Sequence, residues 1–176
     1  MSGTADSSTH PLLPPTTEDD LVTWLRLLRS RRVGPATFHR LMGEHGSAAA
    51  ALEALPEVAR AAGVEEYRVC PEGVARAELA AGRKAGARLL LHGQAGYPRA
   101  LLDLSDAPPV LWALGDTALL DRPLVALVGA RNASSLGLRM AKALAKGLGE
   151  GGIVVASGLA RGIDAAAHEA ALSTGT

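Results

Sequence analysis

Two glycine-rich segments in the C-terminal part of the chain carry residue types that bind anions. The first is VALVGARNASSLG, from Val125 to Gly137, and the second is VVASGLARGIDAAAH, from Val154 to His168. Each predicts a short apolar strand, a turn of small residues with one arginine, and then a helix. Such a turn directs backbone N–H groups, a helix N-terminus and a guanidinium toward one point, which favours phosphate. Two such turns in one sheet predict a site for two phosphates or one longer phosphorylated chain.

The first turn differs from the glycine-rich turn that binds dinucleotides. A G-x-G-x-x-G sequence would place its second and last glycines where this chain has Arg131 and Ser134. The acidic residue expected about 20 residues later is also missing. We therefore expect no NAD or other cofactor, and no P-loop is present because the chain lacks G-x-x-x-x-G-K-[ST]. Arg131 is left with two interpretations, a phosphate ligand or a solvated loop residue.

The second turn, SGLARG, offers more groups to an anion. Ser157 supplies a hydroxyl, Gly158 and Gly162 leave backbone N–H groups uncovered, and Arg161 supplies positive charge just before a helix. The density of these groups predicts an anion site here more strongly than at the first turn.

An acidic residue and a histidine follow the second turn. Asp164 and His168 are four residues apart, which predicts one shared helix face. Two uses of the pair are open: acid–base chemistry or a structural hydrogen bond. We expect no metal site, because no cysteine or second histidine lies nearby in the sequence.

A run of arginines near the N-terminus is a second candidate for contact with nucleic acid. It surrounds the turn Val33-Gly34-Pro35 and consists of Arg26, Arg29, Arg31, Arg32 and Arg40. Two interpretations are open, phosphate contact beside the turn or one solvated helix face.

Apolar strands that alternate with helices predict the fold around the two glycine-rich turns. We expect an α/β domain with an incomplete Rossmann-like parallel sheet and flanking helices. In its first helix, four large apolar residues recur every four positions and predict a buried stripe: Leu136, Met140, Leu144 and Leu148. Since only two or three strands are apparent, we expect the chain to be truncated within this domain.

The N-terminal part predicts a small all-helical domain. Residues 1–16 are rich in Ser, Thr and Pro and are expected to form a disordered tail. Helical spacing from Thr17, a candidate N-cap, predicts a helical domain over residues 17–66, with Pro35 and Pro56 each starting a new helix. The Rossmann-like domain then covers residues 67–176.

Composition limits the classes of protein. The 176 residues are 48% hydrophobic and 20% charged, with zero formal net charge, so a polyanion would need a local patch. One cysteine excludes an internal disulfide and favours a reducing compartment. No apolar run approaches the ~20 residues of a membrane helix, and the first residues lack the features of a secretory signal. We therefore expect a cytoplasmic protein without membrane contact.

Three segments together resemble one known family. GYPRALLDLSDAPPVLWALGD, VALVGARNASSLG and VVASGLARGIDAAAHEAAL occur in the order and spacing of the DNA-processing protein A family, called DprA or Smf. The resemblance extends from about Leu21 to the end of the chain, and its last segment is the most specific.

The resemblance implies a fold and a function. It implies an N-terminal domain of the sterile-alpha-motif or helix-hairpin-helix type, an extended Rossmann-like domain, and no catalytic activity. It further implies binding and protection of single-stranded DNA in natural transformation and recombination, and loading of the RecA recombinase. The DNA-binding positions that it implies are Gly129, Ala130, Arg131, Ser157, Gly158, Ala160, Arg161 and Gly162. Ala130 departs from the Ser or Thr of many members.

The resemblance also bears on assembly and leaves alternatives open. In the family, a later part of the sheet carries the homodimer contacts and the RecA-facing surface, so both are in doubt for a chain ending at Thr176. One alternative is a nucleotide-binding hydrolase that cleaves glycosidic or phosphate bonds with Asp164 and His168. Another is a helical interaction module attached to an inert remnant.

Overall fold

The computed structural model describes residues 14–176, which divide into two compact units. The first unit ends at Gly115, and the second runs from Asp116 to Thr176. Most of the tail expected at residues 1–16 lies outside the described residues. The domain boundary expected between residues 66 and 67 stays a prediction.

The first unit contains helices followed by a small sheet. Its elements are α1 (Glu18–Arg29), α2 (Pro35–His45), α3 (Ala48–Ala61), α4 (Glu72–Lys84), β1 (Arg88–Leu91), α5 (Arg99–Leu102) and β2 (Val110–Ala113). The strands β1 and β2 pair antiparallel, with Arg88 opposite Ala113 and Leu91 opposite Val110.

Helix α1 begins where the sequence predicts. The Asp20 N–H donates to Thr17 Oγ1 at 3.1 Å, and the Thr17 N–H donates to Asp20 Oδ2 at 3.1 Å. This capping box satisfies two amides that the helix itself cannot pair. Acidic residues in the first turn and basic residues in the last turn complement the helix dipole.

Helix α3 corrects one expectation. Pro56 does not start a new helix but lies inside α3, which runs without interruption from Ala48 to Ala61. Proline removes one N–H donor from a helix interior and normally breaks it there. Here Leu52, Leu55 and Ala59 are buried on both sides of the proline, and this burial holds the helix together.

A network around one carboxylate joins the helices to the small sheet. Both Oε atoms of Glu78 on α4 accept hydrogen bonds from Arg29 on α1 at 2.8 Å. Oε1 also accepts from the Trp112 indole N–H on β2 at 2.9 Å. Leu91 and Val110 belong to the same apolar core as α1, α2 and α3. The first unit therefore continues through β2.

The second unit contains the parallel sheet predicted from the sequence. After a short 3-10 helix (Thr117–Asp121), its elements are β3 (Leu124–Ala126), α6 (Ser135–Glu150), β4 (Val154–Ala156) and α7 (Ile163–Leu172). The strands β3 and β4 are parallel, with Leu124 opposite Val154 and Ala126 opposite Ala156. The expected α/β architecture, helical first and Rossmann-like second, is confirmed.

The apolar stripe of α6 is not buried as predicted. Leu136, Met140 and Leu144 are 61%, 52% and 52% exposed, and Leu148 is half-buried. The buried positions of α6 are Ala141, Ala145 and Gly149. Ala141 and Ala145 form the face that packs against the alanine-rich α7, and Gly149 adjoins Thr174 and Thr176, which follow α7. Such close contacts have no room for leucine.

Candidate functional site

The first turn connects β3 to α6. Ser134 caps the helix, since the Gly137 N–H donates to Ser134 Oγ at 3.2 Å. Gly129, Ala130 and Arg131 are exposed. The turn therefore presents the positive end of the α6 dipole beside an accessible guanidinium.

The second turn connects β4 to α7 and is anchored to the sheet. The Ser157 hydroxyl donates to the Leu127 carbonyl at 2.6 Å, and His168 Nε2 lies 3.2 Å from the Ser157 carbonyl. The hydroxyl proton is therefore used inside the fold, and the lone pairs of its oxygen remain acceptors. Gly158 and Arg161 are exposed, while Ala160 and Gly162 are half-buried.

The two turns touch through backbone atoms. The Ile163 N–H donates to the Ala130 carbonyl at 3.3 Å. Gly162 has φ 88°, and a Cβ there would collide with the Ala130 carbonyl oxygen and lie 2.6 Å from that of Arg131. Only glycine permits both this conformation and this approach. The structure thus brings both predicted glycine-rich turns to one edge of the sheet.

Groups able to bind an anion remain free at this edge. Within residues 14–176, the backbone N–H groups of residues 129–131 and 158–161 donate to no other group. Neither Arg131 nor Arg161 forms an ion pair with a described carboxylate. Free amides, two free guanidinium groups and two helix N-termini together match the requirements of a phosphate.

The acidic residue and the histidine of α7 do not form a hydrogen-bonded pair. Asp164 is only 7% exposed, and its carboxylate lies beside Gly158 of the second turn. His168 instead contacts the Ser157 carbonyl, which requires its Nε2 to donate. This geometry corresponds to the structural alternative for His168 and places Asp164 in the first turn of α7, where the helix dipole favours a carboxylate.

Most of the N-terminal arginines have structural partners. Three are held within the first unit: Arg26 by the Cys70 carbonyl, Arg29 by Glu78 and Arg40 by Glu44. Arg31 and Arg32 are exposed in the turn between α1 and α2, where Arg32 has φ 64°. The run therefore does not form one continuous cationic face.

A groove between α6 and α7 adds two cations that the sequence analysis missed. It is lined by Ser135, Leu138, Arg139, Lys142, Gly162, Ala165, Ala166 and Glu169. Arg139 is exposed, and Lys142 Nζ lies 2.8 Å from Glu169 Oε2. The sequence feature that could have revealed them is their spacing: two basic residues three positions apart lie on one helix face, here just after the first turn.

The described part of the chain contains neither a membrane-spanning helix nor a cluster of metal ligands. No helix there combines the length and apolar character needed to cross a bilayer. No cluster of three or more histidine, cysteine or acidic residues is arranged there to hold a metal ion.

Two protein-family models together match most of the chain. Residues 18–81 match the model described as a DprA-like N-terminal HHH domain. Residues 88–176, which include both turns, match the model described as DNA recombination-mediator protein A.

Individual relatives match a smaller part of the chain. The DNA processing protein DprA of Streptococcus pneumoniae is 46% identical over 79 residues, covering 45% of this chain and 28% of that protein. Protein Smf of Escherichia coli is 41% identical over 76 residues, covering 43% and 20%. The chain thus aligns with only 20% to 28% of the length of these two curated relatives.

A solved structure supports the same assignment. The X-ray structure of DNA processing protein A from Streptococcus pneumoniae is similar to this chain with a TM-score of 0.51 and 26% identity. The similarity covers 90% of this chain and 50% of that one. The two-turn sheet edge and the matching models give one conclusion: the chain belongs to the DNA recombination-mediator protein A family, also named DprA or Smf.

Proposed function

We propose that this protein binds single-stranded DNA at the two joined turns, through the phosphate backbone. The observation that carries the proposal is the contact of Gly162 with Ala130 and Arg131, which sets two groups of free N–H donors side by side. A polynucleotide supplies successive phosphates at short intervals, so one strand can occupy both turns. Contacts to phosphate alone give little dependence on base sequence.

The biological role in this proposal is DNA processing in natural transformation, or competence, and in recombination, without catalysis. The relatives named DNA processing protein support this role. Protection of the bound strand, loading of RecA, a homodimer and a cytoplasmic location are further parts of the proposal, and they rest on the family resemblance. A RecA filament assay on DNA coated with a single-strand binding protein tests the loading step; unchanged filament growth would contradict it.

A salt titration with a fluorescent single-stranded oligonucleotide tests the phosphate site. Arg131→Ala and Arg161→Ala are each expected to raise Kd about 10- to 100-fold, as expected for loss of a charged hydrogen bond of about 1.5–3 kcal/mol. Each should also reduce the slope of log K against log salt by about 1, because one fewer counterion is released.

The matched control is Lys146→Ala, which removes an exposed charge from α6 beside Glu150. It should leave both affinity and slope close to those of the parent protein. If Arg131→Ala and Arg161→Ala bind the oligonucleotide as the parent does, the two turns are not the phosphate site.

A further inference from the structure

We infer that the groove between α6 and α7 continues the DNA path beyond the two turns, with Arg139 and Lys142 contacting further phosphates. This inference rests on the proposed function. The groove begins at the turns themselves, because Ser135, the first residue of α6, and Gly162, the last residue of the second turn, both line it. A strand that leaves the turns on this side enters the groove directly.

The charges in the groove favour an anionic chain. Arg139 is exposed and pairs with no described carboxylate. Lys142 and Arg139 are three positions apart, so they lie on one face of α6 with Cβ atoms about 5–6 Å apart. Together with Arg131 and Arg161, they place four cationic side chains on the turns and the adjoining groove. This local patch is the kind that a protein of zero net charge needs to hold a polyanion.

One carboxylate opposes this path. Glu169 on α7 lines the groove, and its Oε2 lies 2.8 Å from Lys142 Nζ. The side chains of this ion pair are 48% and 69% exposed, so water screens it and it contributes little to stability. An incoming phosphate therefore replaces Glu169 as the partner of Lys142 at low cost. Glu169 then reduces affinity, since its charge repels the strand.

A set of charge substitutions tests the groove. Arg139→Ala is expected to weaken binding of a long single-stranded oligonucleotide about threefold to tenfold and to reduce the salt slope by about 1. Lys142→Ala should weaken it less, because in the parent protein Lys142 must give up its ion pair with Glu169 before it can bind phosphate. Glu169→Gln should strengthen binding severalfold and increase the salt slope, since Lys142 becomes free.

A second ion pair of α6 supplies the controls. Lys146 and Glu150 pair on the same helix at 3.7 Å, and neither residue lines the groove. Lys146→Ala and Glu150→Gln should leave the affinity unchanged, although they change net charge by the same amounts. All of these substitutions replace exposed side chains, so little loss of stability is expected. Thermal unfolding checks that each variant remains folded.

The outcomes separate this inference from the function on which it rests. If oligonucleotide binding depends on Arg131 and Arg161 but the groove variants behave like the Lys146 and Glu150 variants, the groove is not part of the path. If the parent protein does not bind single-stranded DNA, the proposed function itself fails. Strengthened binding by Glu169→Gln, with no effect of Glu150→Gln, is the result expected from the groove.

Discussion

The two units bury different kinds of side chain. The first unit encloses large residues, and Phe38, Leu25, Leu27 and Leu41 are fully buried. The second unit encloses small ones, with Ala145, Ala167 and Ala171 packed around Val155. Several of its large apolar residues, such as Met140 and Leu144, lie at the surface. Apolar content alone therefore does not reveal which residues form a core.

This difference follows from the geometry that each unit requires. Helices of the first unit surround a volume that large aliphatic and aromatic side chains fill. The Trp24 and Phe38 rings meet edge to face there, with centroids 5.2 Å apart. In the second unit, α6 and α7 approach closely, which brings the two glycine-rich turns into contact. Small residues at the helix contact are thus a structural condition of the candidate site.

The largest expected effect comes from truncating an aromatic residue of the first unit. Phe38→Ala removes a fully buried ring and should lower the free energy of unfolding by about 3–5 kcal/mol. Leu144→Ala, which truncates an exposed residue of the second unit, should change it by no more than about 0.5 kcal/mol. Chemical denaturation followed by circular dichroism measures both. Equal losses would show that the exposed leucine is part of a core.

The next largest expected effect tests how closely α6 packs against the residues that follow α7 in the second unit. A Cβ at Gly149 would lie 2.7 Å from the Thr174 Cβ, whereas a Cβ at Gly147 on the same helix would meet nothing within 4 Å. Gly149→Ala should destabilise the unit by about 1–3 kcal/mol through overpacking. Gly147→Ala should stabilise it by up to about 1 kcal/mol, because alanine favours the helix. Thermal unfolding that finds the same sign for both would contradict this packing.

The smallest expected effect is a pH-dependent change in the free energy of unfolding of the first unit. Hydrogen bonds from Arg29, and to a lesser degree from Trp112, lower the pKa of Glu78 although partial burial opposes this. A lowered folded pKa means that the stabilisation is present above the unfolded pKa of about 4.3 and is lost as pH falls through the folded value. Glu78→Gln should therefore cost about 1 kcal/mol at pH 7, and this difference should shrink in acid.

The matched control for this prediction is Glu44→Gln. It breaks the exposed pair with Arg40 on α2, whose side chains are about half exposed. Its effect on unfolding at pH 7 should be close to zero. A Glu78→Gln difference that stays constant from pH 7 to pH 3 would show that the carboxylate charge does not stabilise the unit.

Local signals in the sequence were sufficient for the turns and many helix starts. Glycines at Gly129 and Gly162, a cap at Thr17 and a proline at Pro35 act within a few residues, so their effect can be predicted without the rest of the fold. The same is true of the strand, turn and helix order on which the candidate site depends.

Features set by distant packing could not be predicted in this way. Periodicity identified the leucine stripe of α6 but not that Ala141 and Ala145 on another face would meet α7. The link between Glu78 and Trp112 joins residues 34 positions apart. In α3, burial on either side kept Pro56 within the helix against its local preference. Predicting that Arg139 and Lys142 line a groove required knowing that α6 and α7 are neighbours.

The contact of Gly162 with the first turn has a thermodynamic consequence. Because a backbone joint fixes the distance between the two turns, a ligand that engages one turn meets the other at high effective concentration. Free inorganic phosphate gains nothing from this bivalency, whereas a chain with matched phosphate spacing does. Under the proposed function, this arrangement favours a polynucleotide over free phosphate, although both present the same chemical group.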